Sequence, residues 1–339
     1  MSEGESGMKM LNTMRVAVLA MFLAAVPALA AEGVEEGVTR QAVTIWSEGI
    51  PLAGDLWRPQ QLAEGERAPG LLLVHGWGGV KSHLNQAYAP QFARLGLVVL
   101  TFDYRSWGDS PGPIVRTGNP IAAGQPLEPL EDGFQEARNL VDPLMFVEDI
   151  RNALAYLMGE EAVDGGRLGI WGSSLGGGLA LQTAIDFPEI DVLIAQIGNV
   201  NPIGGIVALP DDNPLSRESA LKRRIARARG DMPPFPGPET GLPGLNGNMN
   251  WARFWHYDPF DDADRLTAAT LIIDAADEEL FDIREQGEAL YHKIKHRVPA
   301  QYLTLPGKHY DLYRGPSYQR AIEIEKEWLE EHLLAADAE

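Results

Sequence analysis

The 339-residue sequence predicts an α/β fold with a mostly parallel central sheet, helices on both faces and a short cap insertion. Short apolar runs, typical of strands buried on both faces, alternate with stretches of helical spacing. A predicted strand and helix flank the pentapeptide 172–176. One segment rich in Pro, Gly and Asn, 201–262, interrupts this alternation, and we expect it to form a cap over the strand ends.

The predicted elements follow one another without an internal repeat. The patterns predict an antiparallel hairpin at 38–46 and 50–57, followed by strands at 70–74, 97–102, 167–171, 191–197, 270–274 and 301–305. They predict helices between and after these strands, at 83–95, 142–158, 179–185, 283–296 and 317–334, and a helical patch at 216–229. Residues 111–142 form a Gly- and Pro-rich excursion with little periodicity. Strands that alternate with helices in this way specify a parallel sheet wrapped on both faces.

Composition excludes several classes of function. With 45% hydrophobic and 22% charged residues, the chain is typical of a globular protein. Its formal net charge of −20 argues against nucleic acid and anionic membrane surfaces as partners. The chain has no cysteine, which excludes disulfides, thiolate metal sites and a cysteine nucleophile.

The N-terminus has the pattern of a secretory signal peptide. Lys9 and Arg15 precede an apolar run at 16–26, and a proline and the small-x-small tripeptide Ala-Leu-Ala follow it. The run is too short to cross a bilayer. We therefore expect residues 1–30 to be a signal peptide, and residues 31–339 to be a single domain that is secreted or periplasmic and keeps no stable membrane anchor.

The segment Gly172-Ser-Ser-Leu-Gly176 fits the nucleophile-elbow pattern G-x-S-x-G. A turn this tight between a strand and a helix strains the central residue, and larger side chains two positions away would clash. The hydroxyl of Ser174 would lie at a helix N-terminus, whose free N–H groups favour developing negative charge. Gly/Ser-rich turns also match the pattern, but the predicted strand–turn–helix context favours a nucleophile.

A serine nucleophile needs a base, and the base needs an orienting carboxylate. In elbow-containing folds these residues follow in the order Ser, Asp or Glu, His. Of the seven histidines, His309 lies just after the last predicted strand, where this order requires the base. Asp277 and Glu278 are two candidates for the acid, because both follow the penultimate strand at the expected distance.

Two further groups complete the predicted chemistry. The backbone N–H groups of Leu175 and Trp77 are candidates for an oxyanion hole, since glycines around Trp77 let its loop approach a substrate. His292 and His296 have a metal-compatible spacing, but no third ligand is evident, which indicates a solvated helix face. We therefore expect neither a metal nor a cofactor.

These motifs resemble the α/β-hydrolase superfamily over nearly the whole chain after residue 30. Within it, the chain is similar to bacterial dienelactone-hydrolase-like and X-prolyl-peptidase-like serine hydrolases. The resemblance rests on 43–59, the His-Gly-Trp-Gly-Gly loop at 75–79, 103–108, 141–143, 172–178 and 309–313. The family's acid loop reads I-H-G-x-x-D-x-x-V-P, which implies that Asp274 takes the histidine place and Glu278 the acid place, with Asp277 as the alternative. True dienelactone hydrolases use a cysteine nucleophile, so that activity is not implied.

The resemblance and the residues together predict a hydrolase that cleaves small-molecule carboxylic esters through an acyl-enzyme intermediate. Ser174, Glu278 and His309 would form the catalytic triad. Two alternatives stay open: a peptidase, whose amine anchor Asp211 and Asp212 could supply, and a non-catalytic binding module on the same scaffold. Three tryptophans could either line an apolar pocket or pack in the core: Trp107, Trp251 and Trp255. The sequence predicts neither the acyl preference nor the oligomeric state.

Overall fold

A computed structural model describes residues 33–116, 134–241 and 245–335 of the chain. The predicted signal peptide at 1–30 and much of the 111–142 excursion lie outside these ranges. Within them, no helix is both long enough and apolar enough to cross a membrane.

Thirteen strands are present in the described residues. They are β1 (Gly33–Glu35), β2 (Val38–Ser47), β3 (Ile50–Pro59), β4 (Ala68–Val74), β5 (Val98–Phe102), β6 (Ile114–Arg116), β7 (Phe134–Glu136), β8 (Leu140–Val141), β9 (Val163–Ser173), β10 (Ile190–Gln196), β11 (Asn248–Met249), β12 (Ala269–Ala275) and β13 (Ala300–Leu305). Nine of them form one sheet in the order β1-β2-β3-β5-β4-β9-β10-β12-β13.

The central sheet is antiparallel at one end and parallel over the rest. β1, β2, β3 and β5 pair antiparallel, so the predicted hairpin of β2 and β3 is confirmed. From β5 to β13 every neighbouring pair is parallel, with Leu72 of β4 opposite Ile170 of β9. All carboxyl ends of these six strands therefore lie along the same edge of the sheet. The predicted mostly parallel α/β sheet is confirmed.

Eight α-helices accompany the sheet in the described ranges. They are α1 (Lys81–Ala87), α2 (Ala89–Ala93), α3 (Pro143–Met158), α4 (Leu175–Asp186), α5 (Arg217–Arg229), α6 (Trp251–Phe254), α7 (Gly287–Ile294) and α8 (Gly315–Leu329). Short 3₁₀ turns occur at Pro238–Thr240, Asp261–Arg265 and His309–Tyr313, and a π-helical turn at Glu330–Leu334 follows α8.

The helices cover both faces of the sheet, as the sequence predicts. Successive residues of a strand point to opposite faces, and β4 shows this directly. Leu72 belongs to the core that contains Leu154 of α3. Its neighbours Leu71 and Leu73 belong to a second core, which contains Phe92 of α2. Both cores are fully buried at these positions, which explains why the β4 sequence is continuously apolar.

Two helix predictions are wrong in their extent. The segment predicted as one helix at 83–95 forms α1 and α2, which are separated at Tyr88. Pro90 lacks the N–H that would continue the hydrogen-bond ladder, and its ring would clash with the carbonyl four residues earlier. A helix predicted at 283–296 is likewise shorter, because α7 covers only Gly287–Ile294.

The segment 201–262 carries α5, β11 and α6 between β10 and β12. β11 pairs with β8, which precedes α3. At the next residues, the Asn250 side-chain amide donates to Asp142, and the Arg253 guanidinium lies 3.0 Å from the other oxygen of that carboxylate. Asp142 is also the N-cap of α3, where it accepts a hydrogen bond from the Met145 N–H. These contacts connect the 201–262 insertion to α3 and β8.

A buried ion pair joins the antiparallel end of the sheet to α3. The Arg105 Nε donates to Asp149 Oδ1 at 2.8 Å, and the Arg105 backbone N–H donates to Oδ2 at 2.9 Å. The Ser47 hydroxyl donates to the same carboxylate at 2.7 Å. Arg105 and Asp149 are both buried, and Arg105 also contacts the exposed Glu48 at 3.0 Å, so Asp149 is the buried carboxylate that compensates the Arg105 charge.

We predict that Asp149→Ala lowers the free energy of unfolding by about 3–5 kcal/mol, because it leaves the buried Arg105 charge poorly compensated. Urea unfolding measured at equilibrium tests this. Glu160→Ala is the matched control, since it removes a partly exposed pair with Arg58 and is expected to cost no more than about 1 kcal/mol. Equal losses in the two variants would contradict the structural role of the buried pair.

Candidate active site

Ser174 lies at the tight turn between β9 and α4. Its backbone is strained, with φ of 56° and ψ of −126°. A Cβ on Gly172 would lie 2.2 Å from the carbonyl oxygen of Gly176, and a Cβ on Gly176 would lie 2.4 Å from the carbonyl oxygen of Val74. Larger residues therefore do not fit on either side of the serine, which is the reason for the glycines in the sequence pattern.

His309 follows β13 and begins a 3₁₀ turn that ends at Tyr313. Its Nε2 atom lies 3.1 Å from the Ser174 Oγ, within hydrogen-bond distance. Its backbone N–H donates to Glu279 Oε2 at 3.0 Å, which helps to hold the turn in place. The structure thus brings together two residues that are 135 positions apart in the chain.

Glu278 contacts the other side of the same imidazole. Its Oε2 atom lies 2.8 Å from His309 Nδ1, and both side chains are almost completely buried. The second oxygen, Oε1, accepts a hydrogen bond from the Leu280 N–H at 2.9 Å, so the carboxylate is held at both ends. A carboxylate on Nδ1 selects the tautomer with its proton there and leaves the Nε2 lone pair directed at Ser174.

The alternative acid, Asp277, occupies a different environment. Its residue is exposed, and its backbone N–H donates to the carbonyl oxygen of Gly307. Of the two acids considered, Glu278 makes the contact with His309. Sequence reasoning did not single out the neighbouring Glu279, whose carboxylate supports the His309 backbone.

The loop with Trp77 lies against the elbow. A Cβ on Gly76 would be 2.8 Å from the Ser173 carbonyl oxygen and 3.0 Å from the Ser174 Cβ, so only glycine allows this close approach. Leu175 is the first residue of α4, and the N–H groups of a first helical turn have no partner within the helix. Both Trp77 and Leu175 line the cavity into which Ser174 opens.

This cavity has a volume of about 890 Å³, within the range of small-molecule sites. The loop at 76–79, α1, the 201–262 insertion and the residues around Glu278 and His309 all contribute to its walls. Most of the wall is apolar, and its larger apolar side chains are Trp77, Leu84, Leu175, Ile206, Leu215, Leu245, Trp251, Phe254, Leu280 and Phe281.

The structure shows which of the three tryptophans considered in the sequence line the cavity. Trp251 lines the cavity while its indole N–H donates to the Thr240 carbonyl. Trp107 is buried away from the cavity, and its indole N–H donates to the Leu140 carbonyl. Trp255 is half-buried and donates to the Leu215 carbonyl. Trp251 therefore belongs to the cavity wall, and the other two pack within the domain.

The remaining candidate residues lie away from this cavity. Asp211 and Asp212 are exposed and are not among the residues that line it. His292 and His296 are exposed on and just after α7, and His292 lies beside Lys295. Among the residues at 33–116, 134–241 and 245–335, no three His, Cys, Asp or Glu side chains are grouped closely enough to hold a metal ion.

Two buried titratable groups flank the site. His75 packs on Tyr104, and burial lowers the pKa of its imidazole to about 4, so the ring is neutral near neutral pH. Asp274, at the end of β12, is fully buried. Burial, and then the nearby Glu278, raise the pKa of the Asp274 carboxyl to about 8. A signal for Asp274 was present in the sequence, because it is an acid at the end of a continuously apolar strand.

The fold and the geometry around Ser174 define the class of protein. The model of the Alpha/beta hydrolase family matches residues 71–321, and the chain belongs to that family. This agrees with the strand order, the elbow between β9 and α4, and the positions of the residues after β12 and β13.

Individual relatives are distant. The chain is 24% identical over 315 residues to an uncharacterized 31.7 kDa protein in the traX-finO intergenic region of Escherichia coli. The alignment covers 85% of this chain and 97% of that protein. It is 25% identical over 316 residues to the quorum-quenching protein AidA of Acinetobacter baumannii, with 84% and 92% covered. An acetyl xylan esterase from Paenibacillus sp. R4 shares the fold with a TM-score of 0.54 at 19% identity, with 89% and 87% covered.

We predict that Asp274→Asn stabilises the protein increasingly as the pH rises. Between the ordinary aspartate pKa of 3.8 and about 8, the folded state keeps a proton on Asp274 that the unfolded state releases, so the wild type loses stability with rising pH. Asp274→Asn has no proton to lose at this position, so its free energy of unfolding does not fall in this way. The free energy of unfolding of the variant is expected to exceed that of the wild type by the order of a few kcal/mol at about pH 8. Melting temperatures measured from pH 5 to pH 9 test this.

Asp277→Asn, which changes an exposed carboxyl two residues past the strand end, is the control for that series. A stability difference between Asp274→Asn and the wild type that does not change with pH would contradict a protonated Asp274 in the folded protein.

Proposed function

We propose that this protein is a secreted or periplasmic serine hydrolase that cleaves carboxylic esters through an acyl-enzyme intermediate. The observation that carries the proposal is the unbroken series of contacts from Glu278 through His309 to Ser174. The predicted signal peptide at 1–30 supports export. The esterase that shares the fold agrees with the choice of an ester substrate.

In the first half of the reaction, the Ser174 Oγ attacks the carbonyl carbon of the ester, and its proton passes to His309 Nε2. The tetrahedral intermediate then collapses, and the same nitrogen returns the proton to the leaving alcohol. This leaves Ser174 acylated. In the second half, water gives a proton to His309 Nε2 as its oxygen attacks the acyl carbon. The second tetrahedral intermediate collapses, the bond from the acyl carbon to Ser174 Oγ breaks, and His309 returns the proton to Oγ, which releases the acid and restores the serine.

Two features of the site favour the charges that develop in this reaction. The Glu278 carboxylate lies against Nδ1 and stabilises the imidazolium that forms when His309 accepts a proton. The backbone N–H groups of Trp77 and Leu175 would bind the oxyanion, and one such donor is worth about 2.7–4 kcal/mol of transition-state stabilisation. The N-terminal end of α4 adds a favourable dipole at the same point.

The residues of the chain supply every group that this mechanism requires: a nucleophile, a base, an orienting acid and oxyanion donors. The proposal therefore includes neither a metal nor a cofactor. The predicted amine anchor of a peptidase, Asp211 with Asp212, lies outside the residues that line the cavity, so these two acids do not support a peptide substrate.

We predict that Ser174→Ala lowers the rate of hydrolysis of a short-chain p-nitrophenyl ester by about four to six orders of magnitude, because the nucleophile is lost. The melting temperature is expected to stay close to that of the wild type. Ser219→Ala, which removes a half-buried hydroxyl that donates to the Asp211 carbonyl on the 201–262 insertion, is the control and is expected to retain full activity. Activity of Ser174→Ala within tenfold of the wild type would refute the assignment of the nucleophile.

We also predict that the two neighbouring acids differ sharply. Glu278→Gln is expected to lower kcat by about 10³- to 10⁴-fold, because the amide cannot stabilise the His309 cation and disturbs its tautomer. Asp277→Asn changes an exposed side chain and is expected to alter kcat by less than about threefold. Steady-state kinetics of both purified variants test this, and the opposite order would reassign the acid to Asp277.

A further inference from the structure

One corner of the largely apolar cavity carries a cluster of hydroxyl groups. Tyr88, Ser173 and Tyr313 line the cavity together with Ser174 and His309. Tyr88 and Ser173 are almost completely buried, with 2% and 1% of their surface exposed. Tyr313 is half-buried. The cluster is therefore part of the cavity wall.

The hydroxyls are joined in one network. The Ser173 Oγ and the Tyr313 hydroxyl lie 2.6 Å apart. The Gln196 side-chain amide donates to the Tyr88 oxygen at 3.0 Å and approaches the Ser173 Oγ at 3.5 Å. The Tyr88 hydroxyl donates its own proton to the Leu312 carbonyl oxygen at 3.2 Å.

A count of protons in this network leaves one donor over. Ser173 and Tyr313 have two hydroxyl protons between them, and their mutual hydrogen bond uses one. Gln196 presents its side-chain NH2 group to Ser173 and Tyr88, and its buried Oε1 atom has no hydrogen-bond partner, so Gln196 takes up no proton from either hydroxyl. Within the described part of the chain, no acceptor lies within hydrogen-bond distance for the second proton of the Ser173–Tyr313 pair. This proton is therefore available to an acceptor on a ligand in the cavity.

The pair is next to the reacting groups. Ser173 directly precedes Ser174, and Tyr313 ends the turn that begins at His309. The His309 and Tyr313 rings have their centroids 6.2 Å apart. A substrate whose carbonyl is bound at Ser174 therefore shares the cavity with the free hydroxyl proton.

The charge around the cavity indicates which kind of acceptor fits. The residues that line it include two acids, Asp282, which is paired with Arg284, and Glu285, and they include neither lysine nor arginine. Burial raises the pKa of the Tyr313 hydroxyl above its usual value, so that hydroxyl stays protonated at neutral pH. A neutral donor in a cavity whose lining includes neither lysine nor arginine suits an uncharged oxygen and disfavours a carboxylate.

We propose that the Ser173–Tyr313 hydroxyl pair is a specificity site that donates a hydrogen bond to a second, uncharged oxygen of the ester substrate, separate from the scissile group. The preferred substrates are then neutral esters whose chain carries an ether, hydroxyl or carbonyl oxygen. This inference rests on the proposed function and narrows its substrate class.

The test compares p-nitrophenyl hexanoate with three analogues in which one methylene is replaced by an ether oxygen: the propoxyacetate, the 3-ethoxypropanoate and the 4-methoxybutanoate. Each ratio of kcat/KM, ether over hexanoate, is divided by the same ratio for hydroxide, which removes the inductive effect of the oxygen. One hydrogen bond of ordinary strength predicts a preference of about 2- to 12-fold for at least one ether. Without a donor, the apolar cavity would disfavour all three ethers, because their oxygen would lose its water.

Substitutions of the two hydroxyl-bearing residues test whether the Ser173–Tyr313 pair donates this hydrogen bond. Either hydroxyl alone could still donate, so the decisive variant is the double substitution Ser173→Ala/Tyr313→Phe, which is expected to abolish the ether preference. Tyr310→Phe removes the half-exposed hydroxyl of the neighbouring tyrosine and is expected to keep the preference. A melting curve checks that the double variant is folded.

The possible results separate this inference from the function on which it rests. A normalised preference of one or less for all three ethers in the wild type overturns the inference, and this result needs no variant. A folded double variant that keeps the preference, or that loses activity equally on all four esters, also overturns it. If the wild type hydrolyses none of the four esters, the proposed function itself fails.

Discussion

The strained turn at Ser174 is the constraint on which the rest of the site depends. It requires glycine at 172 and 176, because a Cβ at either position would collide with a backbone oxygen about 2 Å away. It also requires glycine at 76, where the loop after β4 passes directly over the serine. A strained backbone conformation of this kind persists only when the surrounding structure holds it in place. Here β9 at the centre of the sheet and α4 on its face hold both ends of the turn.

The parallel sheet then explains how distant residues meet. Since β4, β9, β12 and β13 all run in the same direction, the segments that follow them lie at one edge. Trp77, Ser174, Glu278 and His309 each follow one of these four strands within a few residues. The burial of the Glu278 and His309 side chains strengthens the interaction between them, because a low-dielectric environment makes both a charge and a hydrogen bond more effective.

Sequence patterns predict much of this architecture because apolar periodicity and glycine positions report directly on burial and on tight turns. Sequence patterns are less reliable where a single residue decides where a helix ends or which side chain makes a contact. Pro90 divides a helix that the periodicity alone makes continuous. Asp277 and Glu278 are adjacent acids, and only the path of the loop after β12 decides which carboxylate contacts His309. The contact from Glu279 and the hydroxyl network around Ser173 join segments that are distant in sequence, so no local pattern predicts them.

The most direct test of the account is covalent labelling with a fluorophosphonate, followed by intact-mass measurement and peptide mapping. An activated serine displaces fluoride and forms a stable phosphonyl ester, whereas an ordinary surface hydroxyl does not react. The account predicts one adduct per chain, located on Ser174, and much slower labelling when His309 is replaced by alanine. A folded wild-type protein that forms no adduct, or that carries the adduct on another residue, would contradict it.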